Sequence, residues 1–405
     1  MPSFEDKPLF HSRKIVKGTT EKAWLDRKDP REKWVTIIPL IGILIGVGVA
    51  GFLVWDGLRT VVKHSYCPVI DEDWSKGFDT KVWMKEAEVG GFGNGEFEQT
   101  TTSDENAFIQ DGMLHLKPTL QDDKLVTSNG SLINLLSDGT CTSAAKSWKD
   151  CVGMTNVGNG SIVPPVKSAR VSTRLGAKIK YGRIEVTARL PKGDWLWPAI
   201  WLLPVNNTYG DWPRSGEIDI IESRGNKPGY MQGGSDMVSS TLHWGPTTSL
   251  DAWWRTNVKR AAFHTSYSNG FHTFGMEWTE KYIFTYVDSR LLQVMYINFG
   301  QPFWTRGQFP LADRNGTALD NPWNATGQVS TPFDQDFYLI FSLGVGGTNG
   351  WFQDGQSGKP WVDSSPTAKL AFWNARAKWF PSWVDKGDFV IKRVRMWQQK
   401  GYNGC

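Results

Sequence analysis

The sequence predicts an all-β sandwich domain preceded by a single transmembrane helix. From about residue 71 onward, short segments that alternate or run apolar are separated by Gly, Asn and Asp turns, which is typical of a β-sandwich. Examples are residues 113–117, 182–190, 282–287 and 389–396. No helical periodicity is sustained in this region, and no internal repeat is visible. The length of 405 residues suits one large domain with an appendage.

The transmembrane helix is predicted over residues 34–56, as a signal anchor. Val35 to Trp55 are 21 residues without a charge, which at 1.5 Å per residue give about 30 Å, enough to span a bilayer. Trp34 and Trp55 stand at its two ends as interfacial anchors. Four glycines and no amphipathic side argue against a buried helix of a soluble domain. Its length and its distance from Met1 argue against a cleaved signal peptide.

The flanking charges predict a type II, single-pass orientation. Basic residues are denser before the helix (Arg27, Lys28, Arg31 and Lys33) than after it (Arg59 and Lys63). By the positive-inside rule, the polar residues 1–33 form a disordered cytosolic tail. Residues 35–55 contact the membrane and residues 57–70 form a stem. Residues 71–405 then form a domain that is extracellular or in the secretory lumen.

Sequons and cysteines independently favour an oxidising compartment. Five glycosylation sequons follow the predicted span, at Asn129, Asn159, Asn206, Asn315 and Asn324. All four cysteines also follow it, and an even number predicts two disulfides. Four cysteines allow three pairings. We favour a local Cys141–Cys151 bridge and a Cys67–Cys405 bridge that joins the ends of the domain.

The composition excludes some partners and favours another. A net charge of +4 without a basic stripe is too small for a nucleic-acid-binding protein. The 22 tryptophans favour a carbohydrate partner, because exposed indoles stack on the apolar faces of sugar rings. The sequence contains no HExxH motif, Cys/His cluster or EF-hand loop, so we predict no metal site and no cofactor. We expect a monomer.

The stretch 211–222, Asp-Trp-Pro-Arg-Ser-Gly-Glu-Ile-Asp-Ile-Ile-Glu, predicts the functional site. Acids and isoleucines alternate, so on a regular strand Glu217 and Asp219 face one way and the isoleucines face the other. Strict alternation would place Glu222 in the core, where an unpaired carboxylate is costly. A β-bulge near Ile220–Ile221 would return Glu222 to the side of the other two acids.

Three acids on one strand face suit glycoside hydrolysis, in which one carboxylate is the nucleophile and one carboxylic acid is the proton donor. A retaining enzyme needs these groups roughly 5–5.5 Å apart, which requires a concave sheet. The charge on Asp219 would raise the pKa of the proton donor and keep it protonated near neutral pH. The alternative is a solvated acidic edge strand. Such a strand would not need isoleucines on its other face, nor Trp-Pro and Gly just upstream.

The pattern Trp-Pro-x-x-Gly-Glu-Ile-Asp-Ile-x-Glu at residues 212–222 resembles the signature of glycoside hydrolase family 16, the laminarinase-like β-glucanases. The resemblance implies Glu217 as nucleophile, Asp219 as helper and Glu222 as acid/base. It also implies a concanavalin-like β-jelly-roll sandwich, with the active strand in a concave, Trp-lined cleft. The similarity runs over about residues 94–398, in the segments 93–99, 181–191, 197–204, 242–245, 271–278 and 332–347.

Five further residues are candidates for substrate binding: Trp212, Trp197, His243, Asn94 and Glu98. Trp212 is expected to stack under the sugar next to the scissile bond, with core packing as the lesser option. Trp197 is expected to line the cleft, whereas Trp201 is expected in the core. His243 is expected to bond to a sugar or a catalytic acid, although a structural histidine explains it nearly as well. Asn94 and Glu98 are expected to contact donor-side sugars.

One position departs from the family pattern. The last strand of many family members carries an Asp that helps to hold a structural Ca²⁺. Lys392 stands there instead, which replaces a carboxylate by a cation. We therefore expect no structural calcium.

Together these features predict a membrane-anchored, retaining endo-β-glucanase that cuts β-1,3- or mixed β-1,3/1,4-glucan of a cell wall or cell surface. Two alternatives stay open. The first is a transglycosylase of cell-wall assembly, since some type II family members are linked to β-1,6-glucan. The second is a non-catalytic β-glucan recognition protein, a class known among relatives that have lost their acids. Intact Glu217, Asp219 and Glu222 argue against the second.

Overall fold

The computed structural model describes residues 12, 14–19, 21–23, 29–60, 64–313 and 316–405. Most of the predicted tail, residues 1–33, lies outside the described residues, as does the predicted sequon at Asn315. The chain divides into two units, residues 1–63 and residues 64–405, and each is described by itself. The other four sequon asparagines are exposed.

The first unit contains one helix, α1, over Glu32–Thr60. Its segment Glu32–Arg59 contains an 18-residue window with a mean hydropathy of 2.7 and is long and apolar enough to cross a membrane. Its side chains are apolar on all sides, as expected for a membrane span and not for a surface helix. The helix therefore contains the predicted residues 34–56. Its membrane insertion and type II orientation stay predictions.

In its described residues, the second unit consists of strands, five short α-helices and four short 3-10 helices (Gly91–Gly93, Thr248–Leu250, Trp253–Arg255 and Phe380–Trp383). Its strands are β1 (Tyr66–Glu72), β2 (Met84–Glu86), β3 (Glu98–Thr100), β4 (Ala107–Gln110), β5 (Met113–Leu116), β6 (Thr119–Leu120), β7 (Leu132–Asn134), β8 (Val152–Met154), β9 (Val166–Ser168), β10 (Arg170–Ser172), β11 (Gly182–Arg189), β12 (Leu196–Pro204), β13 (Glu217–Ser223), β14 (Met237–His243), β15 (Asn257–Ala261), β16 (His272–Trp278), β17 (Tyr282–Val287), β18 (Gln293–Asn298), β19 (Phe337–Val345) and β20 (Phe389–Gln399). Its α-helices are α2 (Asp123–Thr127), α3 (Trp148–Cys151), α4 (Phe303–Gly307), α5 (Ala368–Asn374) and α6 (Arg376–Trp379).

Two large antiparallel sheets form the sandwich, which confirms the predicted all-β fold. The eight-stranded sheet has the order β18-β17-β16-β11-β20-β5-β4, with β1 also paired to β20. The seven-stranded sheet has the order β15-β14-β13-β12-β19-β10-β2. Because the order is not sequential, strands distant in the chain become neighbours. The strand β13 with the three acids is one of the inner strands of the seven-stranded sheet.

The main core is built from the alternate residues that face inward from both sheets. Ile184 and Val186 of β11 contribute from the eight-stranded sheet, and Ile200, Ile218 and Phe341 contribute from the seven-stranded sheet. All five side chains are fully buried. Burial of each such side chain contributes about 1.5–3 kcal/mol, which fixes the face that every strand turns inward.

The sandwich begins earlier in the chain than the sequence predicts. Residues 57–70 are predicted as a stem, yet β1 starts at Tyr66 and pairs with β20 along its length. The register shifts between Pro68 and Ile70. A proline within a strand weakens the sequence pattern, because it cannot donate to the ladder and is tolerated next to such an irregularity. Residues 66–70 therefore belong to the sandwich and not to a stem.

Both predicted disulfides, Cys67–Cys405 and Cys141–Cys151, are present. The Cys67–Cys405 bridge joins β1 to the end of the chain over a sequence separation of 338 residues. The Cys141–Cys151 bridge closes a loop with a separation of 10 residues. A bridge that closes a longer loop removes more conformational entropy from the unfolded chain.

We expect the double change Cys67→Ser, Cys405→Ser to lower the free energy of unfolding by about 2–5 kcal/mol. The matched control, Cys141→Ser with Cys151→Ser, should lower it by less, because its loop is shorter. Urea denaturation followed by tryptophan fluorescence measures both values. A larger loss for the control pair would contradict the prediction.

Candidate active site

A β-bulge interrupts β13 at the predicted place. On the neighbouring strand β14, Thr241 pairs with Asp219 and Ser239 pairs with Glu222, so β13 has one residue more than its partner between these pairs. The same shift occurs against β12 on the other side, which leaves Ile220 as the extra residue. The inserted residue turns Glu222 to the same side of the strand as Glu217 and Asp219, whereas simple alternation would have placed it on the other side.

The bulge separates the isoleucines from the acids. Ile218, Ile220 and Ile221 are fully buried in the main core. Glu217 and Glu222 are only partly buried, on the opposite face of the seven-stranded sheet. The core therefore receives three apolar side chains from this strand, while the three acids share the other face.

Two indoles hydrogen-bond the outer acids of the trio. Trp212 Nε1 donates to Glu217 Oε2 at 3.0 Å, and Trp197 Nε1 donates to Glu222 Oε1 at 3.0 Å. Trp212 is 40% exposed, so it offers an open aromatic surface next to Glu217. Trp197 was predicted to line the cleft, and the structure corrects this: it is 8% exposed and packs in the main core, reaching the site only through its N–H. Each N–H holds one carboxyl oxygen and leaves the other free to react.

The middle acid, Asp219, lies beside His243. The distance from His243 Nε2 to Asp219 Oδ2 is 3.3 Å, and to Glu217 Oε1 it is 3.8 Å. Asp219 is 2% exposed, so its charge would be costly without a nearby donor. On the far side of the ring, His243 Nδ1 lies 2.6 Å from Asp251 Oδ2.

Burial raises the pKa of every acid in the trio. Burial is the main cause for Glu222, whose pKa rises to about 7. Burial and then the charge of Asp219 raise the pKa of Glu217, and burial and then the charge of Glu222 raise that of Asp219. The sequence analysis expected a raised pKa for Glu222 alone, with Asp219 as its cause. The structure corrects this expectation, because desolvation acts on all three carboxyls and is the larger effect.

The turn that carries Trp212 is held by contacts on both sides. Trp323 Nε1 donates to the Arg214 carbonyl oxygen at 2.7 Å. Gly216 has a φ of +82°, and a Cβ there would lie 3.0 Å from the Phe333 ring. A larger residue at this position would strain the backbone and push the ring away. The turn therefore delivers Trp212 to Glu217 in a defined position.

A stack of three side chains supports Trp197. The Trp197 and Trp351 rings are parallel within 11°, with centroids 4.6 Å apart. The guanidinium carbon of Arg224 lies 3.7 Å from the Trp351 ring centroid. Two Arg224 nitrogens also donate to the Trp351 carbonyl oxygen, at 3.0 and 2.7 Å. Arg224 thus fixes Trp351, which packs against the indole that hydrogen-bonds Glu222.

The chain matches the family profile of glycosyl hydrolases family 16 over residues 120–318, which include the three acids. It is 39% identical over 351 residues to a beta-1,3-glucan-binding protein of Penaeus monodon, covering 83% of this chain and 92% of that protein. The chain belongs to glycosyl hydrolase family 16. The bulged acidic strand β13 lies within the range that matches the family.

Two enzymes are also similar to this family 16 chain. The glucan endo-1,3-beta-glucosidase A1 of Niallia circulans is 30% identical over 290 residues, and the match covers 68% of this chain but 33% of that enzyme. The laminarinase from Rhodothermus marinus aligns with a TM-score of 0.50 and 25% identity. That alignment covers 84% of this chain and 99% of the laminarinase. The jelly-roll architecture predicted from the sequence is confirmed by this match.

The structure corrects the prediction for Glu98. Its side chain is 2% exposed, and Oε2 accepts a hydrogen bond from the Val345 backbone N–H at 2.9 Å. A carboxyl group in this position supports the fold and does not reach a sugar. The neighbouring Asn94 is half-buried and donates to Glu96 Oε1 at 3.0 Å. Alternation along residues 94–98 places Glu96 and Glu98 in the same phase, so it does not show which of these two glutamates lies deeper.

The structure also corrects the prediction for Trp201. It pairs with Asp219 across the β12–β13 ladder and is half-buried on the same face as the acids. Its Nε1 donates to Ser342 Oγ at 3.0 Å, and the Arg170 guanidinium lies 4.7 Å from its ring centroid. Arg170 in turn pairs with Glu86 at 2.9 Å. Trp201 and Trp197 are four residues apart on β12, so their side chains point to the same face of the sheet. The face of Trp201 can therefore be predicted once the face of Trp197 is known.

Sequence reasoning missed three residues that contact the predicted site: Asp251, Trp351 and Arg224. None of them belongs to the acidic motif, and each reaches the site from a different loop or strand end. The Asp-Ala-Trp-Trp sequence at 251–254 is the one available signal, because it places an acid next to two indoles.

The acids and the histidine also form a set of metal-type ligands. One atom from each of Glu217, Asp219 and His243 lies within 4.8 Å of the others, and this is the one such group in the part of the chain that the structure describes. These are the same atoms that contact one another in the predicted active site, so no separate metal centre is indicated. Lys392 is exposed, with Nζ 5.7 Å from the Phe271 ring centroid. The expected lack of a structural calcium stays a prediction.

Proposed function

We propose that this family 16 protein is a retaining endo-β-glucanase that hydrolyses β-1,3-linked or mixed β-1,3/1,4-linked glucan. The observation that carries the proposal is the bulge at Ile220, which brings Glu222 to the face of Glu217 and Asp219. A protein that only bound glucan would not need a third carboxyl group on this face. Keeping one there is costly unless it does chemistry.

In the proposed mechanism, the Glu217 carboxylate attacks the anomeric carbon while the Glu222 carboxylic acid protonates the departing oxygen. The Trp212 N–H holds one oxygen of Glu217, which leaves the other for attack. Glu222 then removes a proton from water, and this water releases the sugar from Glu217. Asp219 and His243 balance the charge between the two reacting acids.

The names of similar proteins support a β-1,3-glucan as substrate. The Penaeus monodon relative is a beta-1,3-glucan-binding protein, and the Niallia circulans relative is a glucan endo-1,3-beta-glucosidase. We infer the same glucan class here, stacked on the exposed indole of Trp212. The apolar α1 and the two disulfides support a type II anchor with the catalytic domain outside the cell or in the secretory lumen.

Product analysis on laminarin tests the proposal. We expect the purified full-length chain in detergent to release laminari-oligosaccharides. Proton NMR during the first turnovers should show the β-anomer before mutarotation, as a retaining mechanism requires. First release of the α-anomer would overturn the retaining mechanism. Products longer than the substrate would favour a transglycosylase.

The second candidate is glucan recognition without catalysis. It is favoured by one observation, the name of the 39% identical Penaeus monodon relative. This candidate predicts that the wild-type protein binds laminarin in a pull-down. It also predicts that the number of reducing ends does not increase when the wild-type protein is incubated with laminarin for many hours. Laminarin binding without product would therefore replace the enzyme proposal.

The raised pKa values predict a narrow pH optimum. Glu222 must be protonated to act, so kcat/KM should fall as the pH rises through about 7. Glu217 must be ionised, but its pKa is raised to about 8, above that of Glu222, so the form with Glu217 ionised and Glu222 protonated is a minor one near neutral pH. Activity should therefore fall on acidification well above the pH range of an ordinary glutamate. Initial rates at constant ionic strength measure both limbs. Activity that continues to rise above neutral pH would contradict the role of Glu222.

We expect Trp351→Ala to lower kcat/KM on laminarin by about tenfold, because Trp197 loses its stacking partner and its N–H holds Glu222 less well. The matched control is Trp148→Ala, which removes an indole that is 65% exposed in α3. The control should keep wild-type kinetics. Equal kinetics for Trp351→Ala and Trp148→Ala would show that the stack of Trp197 on Trp351 does not contribute to the proposed site.

A further inference from the structure

A buried carboxylate lies behind His243, on the side away from the three acids. Asp251 belongs to the loop between β14 and β15, and its Oδ2 lies 2.6 Å from His243 Nδ1. Its other oxygen accepts hydrogen bonds from the backbone N–H groups of Trp244 at 3.1 Å and Trp253 at 3.2 Å. The side chain is 7% exposed. Three donors therefore hold this carboxylate in one orientation.

His243 lies between acids on both sides. Nδ1 faces Asp251, and Nε2 faces Asp219 and Glu217. The ring of Trp212 lies 5.6 Å from the imidazole centroid, and the charge of Glu222 also acts on the ring. A neutral imidazole that donates from Nδ1 would turn a lone pair toward Asp219 and Glu217, which is repulsive. An imidazolium donates in both directions.

The electrostatics agree with this geometry. Burial lowers the pKa of His243, but the charges of Glu217, Asp219 and Asp251 outweigh burial, and the pKa lies well above its ordinary value. The positive ring in turn lowers the pKa of Glu217 and of Asp219. The ring thus opposes the effect of burial on Glu217, although the pKa of this acid stays raised, at about 8.

We propose that Asp251 is a positioning residue, which orients His243 and holds it as the imidazolium that faces Asp219 and Glu217. Asp251 does not reach the sugar; it acts through the histidine. The catalytic consequence rests on the proposed glucanase function, because it matters only if Glu217 must be ionised. The pairing of Asp251 with His243 is independent of that function.

Histidine NMR on the full-length chain tests the pairing. Selective ¹³C and ¹⁵N labelling gives one signal for each of the six histidines, and His243→Gln identifies the relevant one. We expect His243 to titrate above the ordinary value of about 6.5 in the wild type. In Asp251→Asn, which keeps the side-chain shape but not the charge, its pKa should fall by roughly one unit or more.

Kinetics on laminarin test the catalytic consequence. We expect Asp251→Asn to lower kcat by about 10–100-fold, while KM stays within about twofold of the wild type. The matched control is Asp288→Asn, which removes the acid 2.9 Å from His272 Nδ1. The control should shift the His272 signal, leave His243 unchanged and keep wild-type kcat.

Two results would overturn the inference. One is a wild-type His243 that titrates at or below about 6.5, which decides the matter even if Asp251→Asn does not fold. The other is a folded Asp251→Asn whose His243 pKa equals the wild-type value. A wild-type chain that releases no product from laminarin would instead refute the proposed glucanase, while the His243 titration would still decide the pairing.

Discussion

Glu217→Ala should lower kcat/KM on laminarin by roughly 10⁴-fold or more, because the glycosyl intermediate can no longer form. The small side chain leaves space for an external anion next to the anomeric carbon. Azide should therefore attack directly and give an α-glycosyl azide, with inversion at the anomeric carbon. Reducing-end assays measure the loss, and NMR identifies the azide product.

This experiment assigns the nucleophile by its chemistry, which matters because burial raises the pKa of both Glu217 and Glu222. The control is Glu105→Gln, which changes an exposed acid paired with Lys167 and should keep wild-type activity. Laminarin binding by Glu217→Ala should also persist, since the exposed indole of Trp212 remains. Substantial hydrolysis by the variant would show that Glu217 is not the nucleophile.

The second large effect is expected for Glu222→Ala, which removes the proton donor. Turnover of laminarin should fall by about 10²–10⁴-fold, the usual contribution of general acid catalysis. For a glucoside with a dinitrophenyl leaving group, the rate of the first step, which forms the glycosyl-enzyme, should fall much less, because the departing oxygen needs no proton. Azide should here give a β-glycosyl azide, since Glu217 still forms the intermediate.

The pH profile supplies an independent check on Glu222. The limb near pH 7 in the wild type belongs to this residue, so it should disappear in Glu222→Ala when the dinitrophenyl substrate is used. If turnover of laminarin and of the dinitrophenyl glucoside falls by the same factor in Glu222→Ala, Glu222 acts by holding Trp197 or the fold and not as the acid. The same conclusion follows if azide gives the α product.

Several features followed from the sequence because they depend on local rules. The period of two along residues 217–222 assigned the isoleucines to the core, and the cost of burying Glu222 required a bulge at Ile220–Ile221, where the structure has it. The cysteine count and positions led to both disulfides. Turn signals and alternation gave the all-β sandwich. The apolar run at residues 35–55 gave the helix α1.

Other features depended on which loops fold back over the sheet, and alternation contains no information about that. A period of two separates the two faces of a strand but does not tell how deeply each side chain is covered. Glu98 was therefore expected at a sugar and is buried against the backbone of Val345, whereas Trp201 was expected in the core and lies among the polar groups of the open face.

The sequence by itself determined the proposed reactive groups: three acids, their strand and the bulge that brings them to one side. Tertiary structure decided their surroundings, because Asp251, Trp351 and Arg224 come from separate segments that meet only when the seven-stranded sheet and its loops are assembled. Burial and nearby charge set the pKa of each acid, and both are properties of the packed chain. The residues of the proposed chemistry could therefore be identified from the sequence, whereas the pKa values of these residues could not.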